Sequence, residues 1–366
     1  MLTAAGPEVE IVVLRHEVLF DRAGLPLGEL EHHYQVMRIT AILALLCAAA
    51  CSSPVPRTPS VRPSPAPGVQ AEATRLVEAG SSGAVVHVRK GDQTWQAAAG
   101  QADTGVPMRT DHRFRIASIT KTFTATLVLQ QVEEGRLALT DRVDKLLPGV
   151  IKTKATVADL LRHTSGISDY LRDDRFAKDW GNGAHLRHWP PRELLKYADK
   201  EAQGYSNTNF ILLGMILEKV SRKPYRELLS ERITGPQGLT ATELPTDDLP
   251  KDIAHGYRAD GVDNTELDSS MFWTAGGLIS TAADVSSFYH WVFTQEVGRR
   301  LQAGGFGIFA ETLRCGRRVF SHSGWIFGYS GMAMSSADGE TQVVVQLASG
   351  QPADAIAAAE RLMCTA

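Results

Sequence analysis

At 366 residues, 43% hydrophobic and 22% charged, the chain has the make-up of a globular protein with material for one large core or two small ones. Its net charge of −3, without a basic run or a lysine and arginine stripe interleaved with aromatics, excludes nucleic acid as a partner. No Cys-x-x-Cys and no Cys/His grouping of zinc spacing occurs, so no metal centre is expected.

In chain order, residues 1–36 carry Glu8, Glu10, Glu17, Asp21, Glu29 and Glu31, the wrong charge for the start of an export signal. They read as lying upstream of a start at Met37. Residues 37–51 form a short apolar leader: Met37-Arg38 opens the run Ile39 to Ala50, which ends in Ala48-Ala49-Ala50-Cys51 and is too short to span a bilayer comfortably. A cysteine after small residues resembles the lipobox of bacterial lipoproteins, which implies lipidation of Cys51; plain secretion is the alternative. Residues 52–69 contain Pro54, Pro56, Pro59, Pro63, Pro65 and Pro67 among small residues, a composition for an extended tether.

Residues 70–366 form the folded part. A helix is expected over Ala71 to Ala79, then strands over Ala84 to Val88 and Thr94 to Gly100. Ile119, Phe123, Leu127, Val128, Leu129 and Val132 give a helix that is apolar all round, with Ser118 at its N-terminus. From about 140 to 268 the pattern is helical: Val157 to His163, Pro191 to Ala198, Asn209 to Val220 and Tyr225 to Glu231. After a helix near Ala282 to Phe293, strands resume at Gly305 to Thr312, Arg318 to His322, Tyr329 to Ser335 and Gln342 to Leu347, and a helix from Pro352 to Met363 ends the chain. Neither set of strands makes a stable layer alone, so both are expected in one antiparallel sheet flanked by helices, an α+β sandwich whose α-rich insertion leaves a cleft.

The chemistry sits in three places. Ser118-Ile119-Thr120-Lys121 puts a hydroxyl and an amine three residues apart, on one helix face, and an apolar surrounding favours the neutral amine that can act as a base. Tyr205-Ser206-Asn207 alternates just before a helix, so Tyr205 and Asn207 can point into the same cleft. A phenol between two cations, Lys121 and His322, is a candidate proton shuttle, and either Lys121 or Tyr205 can serve as the general base. His322-Ser323-Gly324 ends an expected strand. There His322 and Ser323 offer hydrogen bonds, Gly324 allows a close approach of substrate backbone, and the Trp325 amide is a second oxyanion donor beside the helix N-terminus. Cys315 and Cys364 suit a disulfide in an oxidising compartment, with two free buried thiols as the alternative. His163 reads as a helix cap, His185 to His188 as a surface loop, and Trp273 either lines the cleft or packs in the core. No Gly-x-Ser-x-Gly elbow is present.

Phe114 to Gly149, His163-Thr164-Ser165-Gly166-Ile167, Tyr205-Ser206-Asn207-Thr208-Asn209-Phe210, Ala275-Gly276-Gly277 and His322-Ser323-Gly324 together resemble the serine β-lactamase and penicillin-binding family. The likeness is to its class C branch, and within that to secreted D-alanyl-D-alanine carboxypeptidases of actinobacteria. It implies a serine hydrolase with Ser118 as the acylated nucleophile, Lys121 and Tyr205 as the proton-transfer pair, Asn207 as a positioning residue and His322 in the third motif. It implies no cofactor and peptidoglycan stem peptides or β-lactams as ligands; a monomer is expected, and the leader and lipobox lead to the expectation of a place on the outer side of the cytoplasmic membrane. The family's lactamases have lysine where this chain has His322, which leans toward a carboxypeptidase or esterase. The carboxypeptidases also use an arginine on the strand before the third motif, and Gly305 to Glu311 contains none. A β-lactamase, a small-substrate esterase or amidase, and a non-catalytic binding lipoprotein are the other readings.

Overall fold

The computed structural model describes residues 68–366 apart from 182, 247, 259 and 260. The leader, Cys51 and nearly all of the tether lie outside the described residues. Among those described, no helix is long and apolar enough to cross a membrane.

Helix α1, Val69–Glu78, precedes strands β1, Gly83–Lys90, and β2, Gln93–Asp103, with the two-residue β3, Val106–Pro107, at the edge. A short ribbon, β4 (Phe114–Arg115) against β5 (Ile279–Ser280), brackets the helical region. β6 (Phe309–Thr312), β7 (Arg318–Ile326), β8 (Tyr329–Ser336) and β9 (Thr341–Ala348) complete one antiparallel sheet of order β3-β2-β1-β9-β8-β7-β6. The two ends of the chain meet in the β1–β9 pair, which runs in register from Gly83↔Ala348 to Lys90↔Thr341.

β1 is buried over its first six residues, which is why its valines run almost without interruption. Ala84, Val86 and Val88 join Val343, Val345 and Leu347 in a core under α1 and the C-terminal helix Pro352–Thr365. Val85, Ala333 and Val344, on the other face, join the larger core built with the helical region. Cys315 and Cys364 are bonded, with Cα atoms 5.9 Å apart, and pin the last helix to the β6–β7 turn.

The expected strand from Gly305 is shorter than the sequence indicates. A helix, Glu296–Gly304, occupies the preceding stretch, and Gly305 and Gly307 both adopt left-handed backbone (φ +62° and +61°) before β6 begins at Phe309. β7 does not end at the His322 motif either. It continues to Ile326 and turns through Phe327-Gly328, with Gly328 at φ +88°. Tyr225–Leu229 runs on into a π turn, Ser230–Thr234.

Helix α2, Thr120–Glu133, is the central element and is buried on nearly every side. Its threonines at 120, 122, 124 and 126 are poor helix formers, yet each hydroxyl has a partner, and those of Thr120, Thr122 and Thr124 fix the helix to its neighbours. Thr122 donates to the Gly307 carbonyl (3.0 Å), tying α2 to the β6 end of the sheet. Thr124 donates to the Thr274 carbonyl (2.8 Å), tying it to the helical side. Thr120 accepts from the Leu278 amide (3.2 Å), and Thr126 donates to the Thr122 carbonyl (2.8 Å). The helix that carries the amine is thus clamped from both sides of the cleft.

Candidate active site

Ser118 lies in the 3-10 turn Ala117–Ile119 that leads into α2, and it is the half-buried member of an otherwise buried segment. The turn is held from behind. The Ile116 amide donates to the Leu278 carbonyl (3.0 Å), while buried Arg115 donates to the Thr265 carbonyl (2.7 Å), the Leu267 carbonyl and the Ser269 hydroxyl (2.7 Å). Ala117, just before the nucleophile candidate, sits at φ +46°, an uncommon and strained conformation for a residue with a Cβ.

Lys121 is fully buried, and its Nζ lies 3.0 Å from Ser118 Oγ, 2.8 Å from Asn207 Oδ1 and 2.7 Å from the Ala275 carbonyl. Tyr205 Oη is 3.2 Å from the same Ser118 Oγ. Ser206 is extended (φ −145°, ψ 121°) and Asn207 begins the helix Asn207–Ser221, which turns both Tyr205 and Asn207 toward Lys121. The first two sequence motifs therefore meet in one hydrogen-bonded cluster around a single hydroxyl.

Two supports were not legible as such. His163 ends its helix in left-handed backbone (φ 58°), as a cap does, but its ring also stacks on Tyr205 with centroids 4.2 Å apart. Its Nδ1 accepts the Ser206 amide at 3.1 Å, so the proton is assigned to Nε2. Asp169, which no motif marked, accepts from Asn207 Nδ2 at 2.8 Å.

The third motif lies in mid-strand. His322 and Gly324 alternate with Phe320 and Ile326, which belong to the core shared with α2, whereas Ser323 falls on the face of Val319. Gly324 has a nearer reason than substrate access: a Cβ there would sit 2.3 Å from the Ile116 carbonyl oxygen, so only glycine lets β7 lie against the Ser118 turn. The Leu313 amide donates to the Arg317 carbonyl at 2.9 Å, which sets the pairing parity of β7. The amides of Ser323 and Trp325 then point to the β6 side, beyond the pair Phe309↔Ser321 where β6 begins. Past Trp325, Phe327 packs on Trp180 (4.5 Å) and lies 5.4 Å from the Trp325 ring, forming an aromatic wall. Trp273 is core, edge-on to Tyr225 at 6.1 Å.

His322 is not the second cation expected beside Tyr205. Burial, followed by the charge of Lys121, pushes its pKa down to about 3, so the imidazole is neutral. Its Nδ1 donates to the Ser323 carbonyl at 2.6 Å, and Nε2 is buried without a hydrogen-bond partner among the described residues. The wall thus offers an acceptor rather than a positive charge. His87 is likewise pushed down to about 4, by burial and then Arg89. Unfolded, both protonate near 6.5. Below that pH the unfolded chain binds protons that the folded one refuses, so stability is lost as pH falls from about 6.5 toward 4. Each histidine contributes a slope of roughly 1.4 kcal/mol per pH unit. Thermal unfolding between pH 7 and 4 is expected to show a shallower acid loss in His87→Gln than in wild type; an unchanged slope overturns the assignment.

Comparison with known proteins agrees with this geometry. A profile of the beta-lactamase family matches residues 69–364. A penicillin-binding protein of Bacillus subtilis is 28% identical over 298 residues, covering 70% of this chain and 66% of that protein. A D-aminopeptidase of Cereibacter sphaeroides is 29% identical over 285 residues, covering 71% of this chain and 54% of that protein. The chain thus spans about half to two thirds of these relatives. Among solved structures, a D-stereospecific amidohydrolase from a Streptomyces species superposes with a TM-score of 0.72 at 31% identity, over 80% of this chain and 97% of that one. With its α+β fold, its Ser118–Lys121–Tyr205 cluster and a profile match over most of its length, the chain belongs to the beta-lactamase family of serine hydrolases and penicillin-binding proteins.

Proposed function

We propose that this serine hydrolase is an amidohydrolase that acylates Ser118 with the carbonyl of a D-amino-acid residue and releases a neutral amine or peptide. One observation carries the reading: the cluster around Ser118 is complete, while the third-motif residue, His322, is buried and neutral. A carboxypeptidase substrate and a β-lactam each bring a free carboxylate, which calls for a cation at that wall. β6 supplies no cation there: its Glu311 accepts from Ser321 at 2.6 Å on the Val319 face, away from His322. Arg317 is turned away, donating to the Met363 carbonyl at 2.6 Å, and Arg318 lies over Phe320. The aromatic wall of Trp180, Phe327 and Trp325 suits an apolar substrate side chain. The D-configuration is supported by the relatives' named activities.

In the reaction, the Lys121 amine, once it has lost the proton whose charge weighs on His322, takes the Ser118 proton as Oγ attacks the carbonyl carbon. The Ser118 and Trp325 amides hold the oxyanion, and Tyr205 relays the proton to the departing amine. Water then attacks the ester, giving its proton to the same pair, and Ser118 is restored as the acid leaves. The leader Met37 to Cys51 supports a place outside the cytoplasmic membrane, secreted or held by a lipid on Cys51. Labelling wild type and Cys51→Ala with a palmitate analogue decides between these.

Turnover of D-phenylalanine amide, an acylated D-alanyl-D-alanine peptide and benzylpenicillin tests the substrate class. The amide is expected to lead in kcat/KM by at least about tenfold, a preference of roughly 1.4 kcal/mol. His322→Lys is expected to move the ranking toward the two carboxylates. A wild-type preference for the D-alanyl-D-alanine peptide makes the protein a carboxypeptidase, the second reading.

A further inference from the structure

Asp169 is a carboxylate where a fold alone does not need one. It caps the 3-10 turn Tyr170–Arg172, accepting the Leu171 amide through Oδ1 at 3.1 Å, a task asparagine or serine performs equally well. It is only 4% exposed, and burial raises its pKa; the N–H donors on both oxygens, from Leu171 at 3.1 Å and Asn207 at 2.8 Å, are what favour the ionised form there. What distinguishes a carboxylate is Oδ2, which accepts from Asn207 Nδ2 at 2.8 Å.

We infer that Asp169 is a positioning residue that fixes the Asn207 amide and, through it, aims the Lys121 lone pair at Ser118. An ionised carboxylate can only accept, so it takes the Nδ2 end of Asn207 and leaves Oδ1 facing Lys121 at 2.8 Å. The Ala275 carbonyl, 2.7 Å from Nζ, is likewise acceptor-only. A neutral amine has two N–H groups. With these committed to Asn207 Oδ1 and the Ala275 carbonyl, the lone pair falls on the side of the hydroxyls, where Ser118 Oγ lies 3.0 Å away. A flipped Asn207 would present N–H to Nζ and draw the lone pair away from the serine. One buried charge, two residues removed from the nucleophile, thus selects which amide orientation exists and which way the base faces.

The inference rests on the acyl-enzyme reading, and a fluorophosphonate probe separates the two. The probe phosphonylates the serine and loses fluoride, so it reports nucleophile activation without a choice of substrate. Time courses of labelling of the full chain give kinact and KI. Asp169→Asn that keeps the Leu171 cap with its Oδ1 presents its Nδ2 to Asn207, which favours the flipped Asn207 amide. It is expected to lower kinact about tenfold or more with KI unchanged. It should also move the acid limb of the labelling profile to lower pH, because an ammonium loses a nearby negative charge. In an Asn207→Ala background the same substitution is expected to cost nothing further. Asp169→Ser, which keeps the cap and is too short to reach Asn207, should repeat the loss and serves where Asp169→Asn does not fold. Wild-type kinact in Asp169→Asn, or an equal loss in both backgrounds, overturns the inference. A wild-type protein that the probe does not label overturns the acyl-enzyme reading, and this inference with it.

Discussion

Ser118→Ala is expected to abolish covalent labelling by the fluorophosphonate and to lower amide turnover by at least about 10⁴-fold, with little change in stability. Removing a nucleophile costs about as much as dismantling the whole constellation, because the remaining groups have nothing to activate. The fold should tolerate the change. Ser118 is half-buried, its Oγ serves as partner to Lys121 and Tyr205, and Lys121 keeps Asn207 and the Ala275 carbonyl when that oxygen goes. Intact-mass spectrometry of both proteins, sampled over time with the probe and separately with benzylpenicillin, reads the result. Equal labelling of the variant would move the nucleophile elsewhere. Ligand binding without any adduct or turnover in wild type would make the protein a non-catalytic binder. A long-lived penicilloyl adduct on Ser118 alone would favour the carboxypeptidase reading, and penicillin consumed without an adduct would identify a lactamase.

What the sequence discloses and what it hides follow from range. The strands are legible because Val85 to Val88 and Val343 to Val345 form runs whose burial on both faces leaves little choice of partner layer. Ser118 and Lys121 are legible because three residues on a helix fix a distance. Asp169 and Asn207 are 38 residues apart, and nothing local marks the pair. The helix Glu296–Gly304 escapes because Gly298 and Gly304 depress its propensity, while Val292 and Phe293 backbone packed against Gly298 favours it. Gly324 reads as room for substrate, but its constraint is the Ile116 carbonyl, delivered by a different part of the chain. His322 reads as a cation from its side-chain type. Its complete burial beside Lys121 keeps it neutral down to a pKa of about 3, and that neutrality is what favours an amide over a carboxylate substrate in the proposed function.

Lys121→Met and Lys121→Arg are expected to lose nucleophile activation alike, by roughly 10²- to 10⁴-fold in the rate of labelling, the range that a positioned base supplies. The pair separates two roles that one lysine can hold. Methionine fills similar space without charge or basicity. Arginine keeps the charge near Tyr205, whose ring centroid lies 4.9 Å from Nζ, but it does not deprotonate in proteins and cannot serve as a base. If the amine acts by accepting the Ser118 proton, both variants fail. If it acts only as a fixed positive charge that stabilises an alkoxide, arginine retains much of the rate and the base role passes to Tyr205. Stability is expected to separate the two variants, with arginine the more destabilising. Methionine leaves the Ala275 carbonyl and Asn207 Oδ1 without their donor, at about 1 to 3 kcal/mol for each buried acceptor, offset by no longer burying an amine. Arginine is too long for a fully buried site clamped by Thr122 and Thr124, and overpacking there costs about 1 to 3 kcal/mol or more. Labelling rates measured beside unfolding temperatures therefore distinguish a lost base from a distorted helix: the rate loss in Lys121→Met must exceed anything its modest change in stability can account for.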